Sequence, residues 1–145
     1  MTTVGQILRN KGNNIWSIGS GATVFEALSL LAEKNIGAVL VLDDGQLVGI
    51  FSERDYARSA VRTQKSAQDM HVKELMSSRV VTITPAKTIE ACMELMTAQR
   101  IRHLPVLDDN QVIGVISIGD VVKTIISKQQ LTIQELENYI TSGVT

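Results

Sequence analysis

The 145-residue sequence is poor in the residues that would commit it to several kinds of chemistry. Cys92 is its one cysteine, so there is no intrachain disulfide and no thiolate metal cluster. Two histidines, His71 and His103, are too few and too far apart to suggest a zinc site. Aromatic residues make up 3%, which leaves little for single-stranded bases to stack on. Basic residues (14) nearly balance acidic ones (15), and a net charge of −1 supplies no field to attract nucleic acid or an anionic membrane. No run approaches the roughly 20 apolar residues needed to span a bilayer. The opening MTTVGQILRNKG lacks the layout of a secretory signal or a transit peptide. These absences set the expectation of a cytoplasmic protein with neither nucleic-acid nor membrane partners.

What is present is a duplication. Shifted by 65 positions, the chain overlays on itself without a gap from Trp16 to Val61. VLDDGQLVGIFSERD falls on VLDDNQVIGVISIGD, so that Gly49 meets Gly114, Ser52 meets Ser117 and Asp55 meets Asp120. A shorter echo, VGQIL against VKELM, precedes each copy at a slightly different offset.

Each copy reads as strand, helix, strand, strand, helix. In the second, VVTIT alternates as a strand that Pro85 ends, and Thr88 caps a helix through IEACMELMTAQR. Ile89, Cys92, Met93 and Met96 form its apolar stripe, which makes Cys92 a core thiol. HLPVLD and QVIGVIS then pair across Asp108, Asp109 and Asn110, as AVLVLD and LVGIFS pair across Asp44-Gly45. One unit alone is too small to bury a sufficient core. The expected fold is therefore α+β, with two β-α-β-β-α repeats packed around a pseudo-twofold axis and two equivalent clefts between them. Residues 1–66 hold the first repeat with its N-terminal segment, and 67–128 the second. Residues 129–145 read as an amphipathic helix that docks on the body or on another subunit, stopping near Gly143.

The two in-register copies of VLDDGQLVGIFSERD and RHLPVLDDNQVIGVISIGD, with VVTITP and its helix, resemble a tandem cystathionine-β-synthase (CBS) domain pair, a Bateman module. The resemblance implies a sensor of adenosine-containing ligands (AMP, ADP, ATP, NAD or S-adenosylmethionine), disc-shaped homodimers, no catalysis and no catalytic cofactor. AMP or NAD is favoured by the small number of cations this reading assembles. A standalone sensor must signal through a separate, unidentified effector protein.

Ser52 and Asp55, like Ser117 and Asp120, open a helix after an apolar strand. Capping alone explains both residue types. By the resemblance the Asp carboxylate grips the ribose hydroxyls, while the Ser and the helix-start amides face phosphate. Arg102 and His103 match Gly37 and Ala38, so these cations belong to one copy only. The resemblance directs them to phosphate in the cleft anchored by Asp55, together with Arg54. Arg100 reads as a solvent-side residue. Ile15 and Ser17 are assigned to the adenine edge in the Asp55 cleft, with Trp16 as a base-stacking candidate and Lys11 as a reach for a distal phosphate. VVTIT, through Thr82 and with Val80 and Ile83 sandwiching the ring, is assigned to the Asp120 cleft, which on this reading has no cations. Two alternatives remain. One is a ligand-independent dimerisation or interaction scaffold. The other is a nucleotide hydrolase, disfavoured because no nucleophile, base and oxyanion set can be assembled.

Overall fold

The computed structural model describes residues 2–12 and 14–143. In chain order these form α1 (Val4–Lys11), β1 (Ser17–Ile18), α2 (Val24–Lys34), β2 (Ala38–Asp43), β3 (Gln46–Ser52), α3 (Glu53–Arg62), α4 (Val72–Leu75), α5 (Ile89–Gln99), β4 (His103–Asp108), β5 (Gln111–Ser117) and α6 (Ile118–Gly143). The architecture is α+β, with one sheet ordered β1-β2-β3 and another β4-β5.

Local chemistry sets the element ends. Thr23 caps α2, accepting from the Glu26 amide at 3.1 Å, and Thr88 caps α5, accepting from the Ala91 amide at 3.2 Å. Both hairpins turn through two residues with positive φ, Asp44 (51°) with Gly45 (77°) and Asp109 (53°) with Asn110 (62°). That pattern matches the right-handed twist of the flanking strands, and Gly, Asn and Asp tolerate it best. Each hairpin also shifts register at the same place, between Val41 and Leu42 and between Val106 and Leu107.

VVTIT does not become a strand. Only Ile83 bridges β4, donating to the Pro105 carbonyl at 3.0 Å and accepting from the Leu107 amide at 2.9 Å. In the first repeat the Leu40 amide bonds the Trp16 carbonyl at 3.2 Å and extends the ladder into β1. Pro105 holds the position of Leu40 and has no amide to give. One missing proton shortens the ladder.

The leading helices cross over. Val4, Ile7 and Leu8 of α1 are buried with Ile83, Ile89, Leu104, Val106 and Ile116 of the second repeat. Met70 and Val72, ahead of the second repeat, are buried with Val24, Leu31, Val39 and Phe51 of the first. The backbone repeats this symmetry: the Val4 amide bonds the Lys87 carbonyl at 2.8 Å, and the Val72 amide bonds the Ala22 carbonyl at 2.8 Å. Each repeat is sealed by a helix that precedes the other.

The tail differs from expectation. Residues 129–143 are not a separate helix but continue α6 for a total of 26 residues, because SKQQLT contains nothing that breaks a helix. From Ile126 to Thr141 every residue is exposed, so the tail does not dock on the body.

The crossing helices explain two glycines. A Cβ on Gly49 would lie 2.5 Å from Met76 Sδ, and one on Gly114 would lie 2.7 Å from Leu8 Cδ2. Both strands thus surrender a side chain so that the other repeat's segment can approach. Gly114→Ala is expected to destabilise by about 1–3 kcal/mol through overpacking. Leu8→Ala should cost about 2–5 kcal/mol through the space it opens. Because each change relieves the other, the double variant should lose clearly less than the sum in urea unfolding. Additive losses would contradict this packing.

Candidate functional site

Two clefts flank the point where β2 and β4 begin. The two strands meet closely there: a Cβ on Gly37 would sit 3.5 Å from the His103 imidazole. The cleft on the Asp55 side measures about 480 Å³ and that on the Asp120 side about 570 Å³. Gly37, Ala38, Arg102 and His103 line both.

The two helix starts are built alike. Asp55 Oδ2 accepts from the Ser52 amide at 2.8 Å and the Ser52 hydroxyl at 3.0 Å. Asp120 Oδ2 accepts from the Ser117 amide and hydroxyl at the same two distances. Each Asp therefore does close a capping box, as the structural reading of these residues requires. Only one carboxylate oxygen is used for it. Oδ1 of Asp55 has no hydrogen-bond partner among the described residues.

The Asp55 cleft gathers the expected Ser52, Arg54, Asp55, Arg102 and His103. It also takes in Arg58, Arg79 and Arg100, the last of them exposed to solvent as expected but bordering the cleft as well. Five of the chain's seven arginines thus line one cleft, and none forms an ion pair among the described residues. Arg58 was legible in principle, lying one helical turn beyond Arg54. Arg79 carried no local signal.

Arg100 also carries backbone strain. It ends α5 in the left-handed conformation, φ 54° and ψ 45°, where the first repeat has Asn35 at φ 53° and ψ 51°. Asparagine tolerates this region. An arginine there costs about 1 kcal/mol or more and is the kind of outlier found at functional sites.

The Asp120 cleft is not without cations, which corrects the sequence expectation. Lys11 Nζ lies 2.6 Å from Asp120 Oδ2 and donates to the Val115 carbonyl at 2.9 Å. The matching carbonyl of the first repeat, on Ile50, instead accepts the Ser77 amide at 2.9 Å. A lysine ammonium has replaced a backbone amide, and in doing so it neutralises the second carboxylate. Burial pushes the Asp120 carboxyl up, but the Lys11 and Ser117 hydrogen bonds outweigh it and hold the group below the ordinary aspartate value. Desolvation lowers the pKa of His103. Asp120 partly opposes this, and Lys11 and Arg102 reinforce it.

The leading segments serve the opposite clefts from those assigned. Val80 and Val81 line the Asp55 cleft, and Trp16 lines the Asp120 cleft, where Lys34 Nζ stands 4.4 Å from its ring centroid. Ile15, Ser17 and Thr82 line neither cleft, and Ile83 is buried in the core rather than free to sandwich a base. The cause is topological. Each leading segment runs beside the middle strand of its own repeat, and so borders the crevice facing the other repeat's helix start. Among the described residues no group of three or more His, Cys, Asp or Glu could hold a metal, and no helix is long and apolar enough to cross a membrane.

The sequence model of the CBS domain matches this chain twice, at residues 4–62 and 72–127. A mitochondrial CBS domain-containing protein of Arabidopsis thaliana, CBSX3, is 34% identical over 152 residues, covering 98% of this chain and 73% of the relative. Among solved structures, the CBS-domain protein NE2398 is 46% identical with a TM-score of 0.83, covering 86% of this chain and 98% of its own. A CBS-domain protein of Burkholderia ambifaria MC40-6, named for signal transduction, is 45% identical with a TM-score of 0.85, covering 88% and 96%. The CBS domain pair of protein MJ0100, solved with 5′-methylthioadenosine and S-adenosyl-L-methionine, is 25% identical with a TM-score of 0.79, covering 88% and 98%. Two matched repeats, crossed leading helices and paired clefts make this chain a member of the CBS-domain family, as a tandem pair.

Proposed function

We propose that the chain is a non-catalytic regulatory module that binds an adenine nucleotide in the Asp55 cleft and signals to a separate partner protein. The observation that carries this reading is the set of five arginines without ion pairs around a carboxylate with one oxygen left over. Arginines crowded together repel one another unless an anion joins them, and their planar forks suit phosphate oxygens. The spare Asp55 oxygen suits a ribose diol, and Val80 and Val81 offer apolar surface to a base. The adenosine ligands bound by the pair of protein MJ0100 support the nucleoside half of the reading. The relative named for signal transduction supports the regulatory role.

The phosphate count shifts from the sequence expectation. That reading favoured AMP or NAD on the strength of three cationic residues. Five guanidinium groups against the carboxylates of Glu53 and Asp55 leave three positive charges in excess. ADP or ATP matches that excess better than AMP does. The Asp120 cleft is the weaker candidate, because Lys11 already neutralises Asp120 through Oδ2 and Arg102 is the only arginine lining this cleft among the described residues. For this half of the molecule the scaffold reading holds, with the ion pair acting as a structural pin.

Calorimetric titration should show one ligand per chain, with ADP or ATP binding more tightly than AMP. Asp55→Ala should weaken binding by about 10- to 100-fold, the worth of one or two hydrogen bonds to a charged group. Asp120→Ala should change affinity little. Equal losses from both substitutions, or no heat with any of these nucleotides or NAD, would sink the assignment.

A pH dependence follows from His103. Its folded-state pKa lies below the ordinary value near 6.5, so the free protein keeps the ring neutral where an unfolded chain would take up a proton. The stability this contributes is present above about pH 6.5 and is lost as pH falls toward the folded pKa. A bound phosphate raises the His103 pKa again, so binding takes up a proton. The ratio of wild-type to His103→Gln affinity should therefore rise between about pH 8 and pH 6.5. Taking the ratio removes the ligand's own phosphate titration. A flat ratio would place His103 outside the phosphate's reach.

A further inference from the structure

The distal part of α6 is exposed, yet it is apolar at regular positions. Val122, Ile126, Ile133, Leu136 and Ile140 are 46%, 49%, 55%, 57% and 63% exposed. With Gln129 they are spaced by alternating steps of four and three residues, the 3.5-residue period of a coiled-coil seam. Most of this stripe lies beyond residue 127, where the second CBS match ends, and nothing after Ile125 belongs to either core. The stripe therefore serves neither the repeat fold nor the clefts.

We propose that it is the docking surface for α6 of a second copy of this chain, packed antiparallel. Self-pairing in this direction fills every layer: Val122 meets the partner's Ile140, Ile126 the partner's Leu136 and Gln129 the partner's Ile133, with the same contacts in reverse. A shift of one heptad either way leaves end layers empty. The flanking charges are complementary only in this orientation. Lys123 comes beside the partner's Glu137 at both ends of the seam, whereas a parallel pair sets Lys123 beside Ile118 and Glu137 beside Thr132. Ile125, half-buried at the root of the helix, gains the partner's Tyr139, a ring that is 78% exposed in the single chain. Opposed helix dipoles add to the same preference. The seam runs about 27 Å from Val122 to Ile140, the rise of 18 residues. It places the two nucleotide modules at opposite ends of the helical pair. The two Gln129 residues occupy the central layers, where a polar side chain fixes register at some expense of stability.

Sedimentation equilibrium of the full chain at micromolar concentrations tests this surface independently of any nucleotide. The wild type should dimerise, and Ile133→Asp should weaken association by at least about tenfold. Because Ile133 is exposed in the single chain, circular dichroism of that variant should stay unchanged. Lys123→Glu and Glu137→Lys should each weaken the dimer, and combining them in one chain should restore it. A wild-type monomer at about 100 µM, or a dimer indifferent to Ile133→Asp, would overturn the proposal. Single charge reversals without effect, or a double reversal that fails to restore association, would overturn the antiparallel arrangement.

Discussion

Neither repeat can close its own core, and the rest of the molecule follows from that shortage. A unit of two short helices and two or three strands leaves one side of its apolar layer open to water. The opening is filled by the helix that precedes the other repeat, α1 over the second and α4 over the first. The exchange holds the repeats at a fixed spacing, because Leu8 and Met76 each press into the place left by a missing side chain, at Gly114 and Gly49. Cleft width is therefore set by core packing, which is stiff, and not by the loops that border it.

On this symmetric frame the chemistry is asymmetric, and each asymmetry is a single exchange of residue type. Pro105 in place of Leu40 removes an amide and trims the sheet. Arg100 in place of Asn35 puts a long cation on a strained turn. Lys11 does for the Val115 carbonyl what the Ser77 amide does for Ile50, and its charge then settles on Asp120. The outcome is one crevice with excess positive charge beside a carboxylate that is not ion-paired among the described residues, and another whose carboxylate is neutralised by Lys11. The element frame is shared by both halves while the electrostatics diverge.

What the sequence made legible was local or repeated. The duplication, both hairpins, the Thr88 cap and the Ser-x-x-Asp helix starts depend on neighbouring residues, and each is found where expected. The 65-residue shift showed that Arg102 and His103 belong to one copy only, and the family resemblance assigned them to the cleft of Ser52, Arg54 and Asp55, where all five residues lie. The failures were long-range. The Lys11–Asp120 ion pair spans 109 positions, and nothing in NKGNN points to Asp120. The crossing of leading segments cannot be read from repeats aligned in series, so Val80 and Trp16 were assigned to the wrong crevices. VVTIT alternates well enough for a strand, and the reason it fails is a proline 22 residues later.

Arg102 links the arginine-rich cleft to the start of α6. Its side chain borders the arginine-rich cleft, and its carbonyl accepts the Ile118 amide, the first of α6, at 2.8 Å. In the first repeat Gly37 holds the matching place, accepting from Glu53 at 3.1 Å, but it has no side chain to answer a ligand. Only the second repeat thus joins a cleft-lining cation to a helix start in one residue. The helix so held is the one that extends past both CBS matches. On the proposed function, a phosphate engaging Arg102 would act at the root of a 26-residue helix, with an effect no larger than its difference in affinity between any two arrangements of that helix. His103, next in sequence and lining both clefts, feels the Asp120 side of the same junction. The unequal repeats therefore give the module a polarity: five arginines line the cleft on one side of the pseudo-twofold axis, and the helix that leaves the body starts on the other.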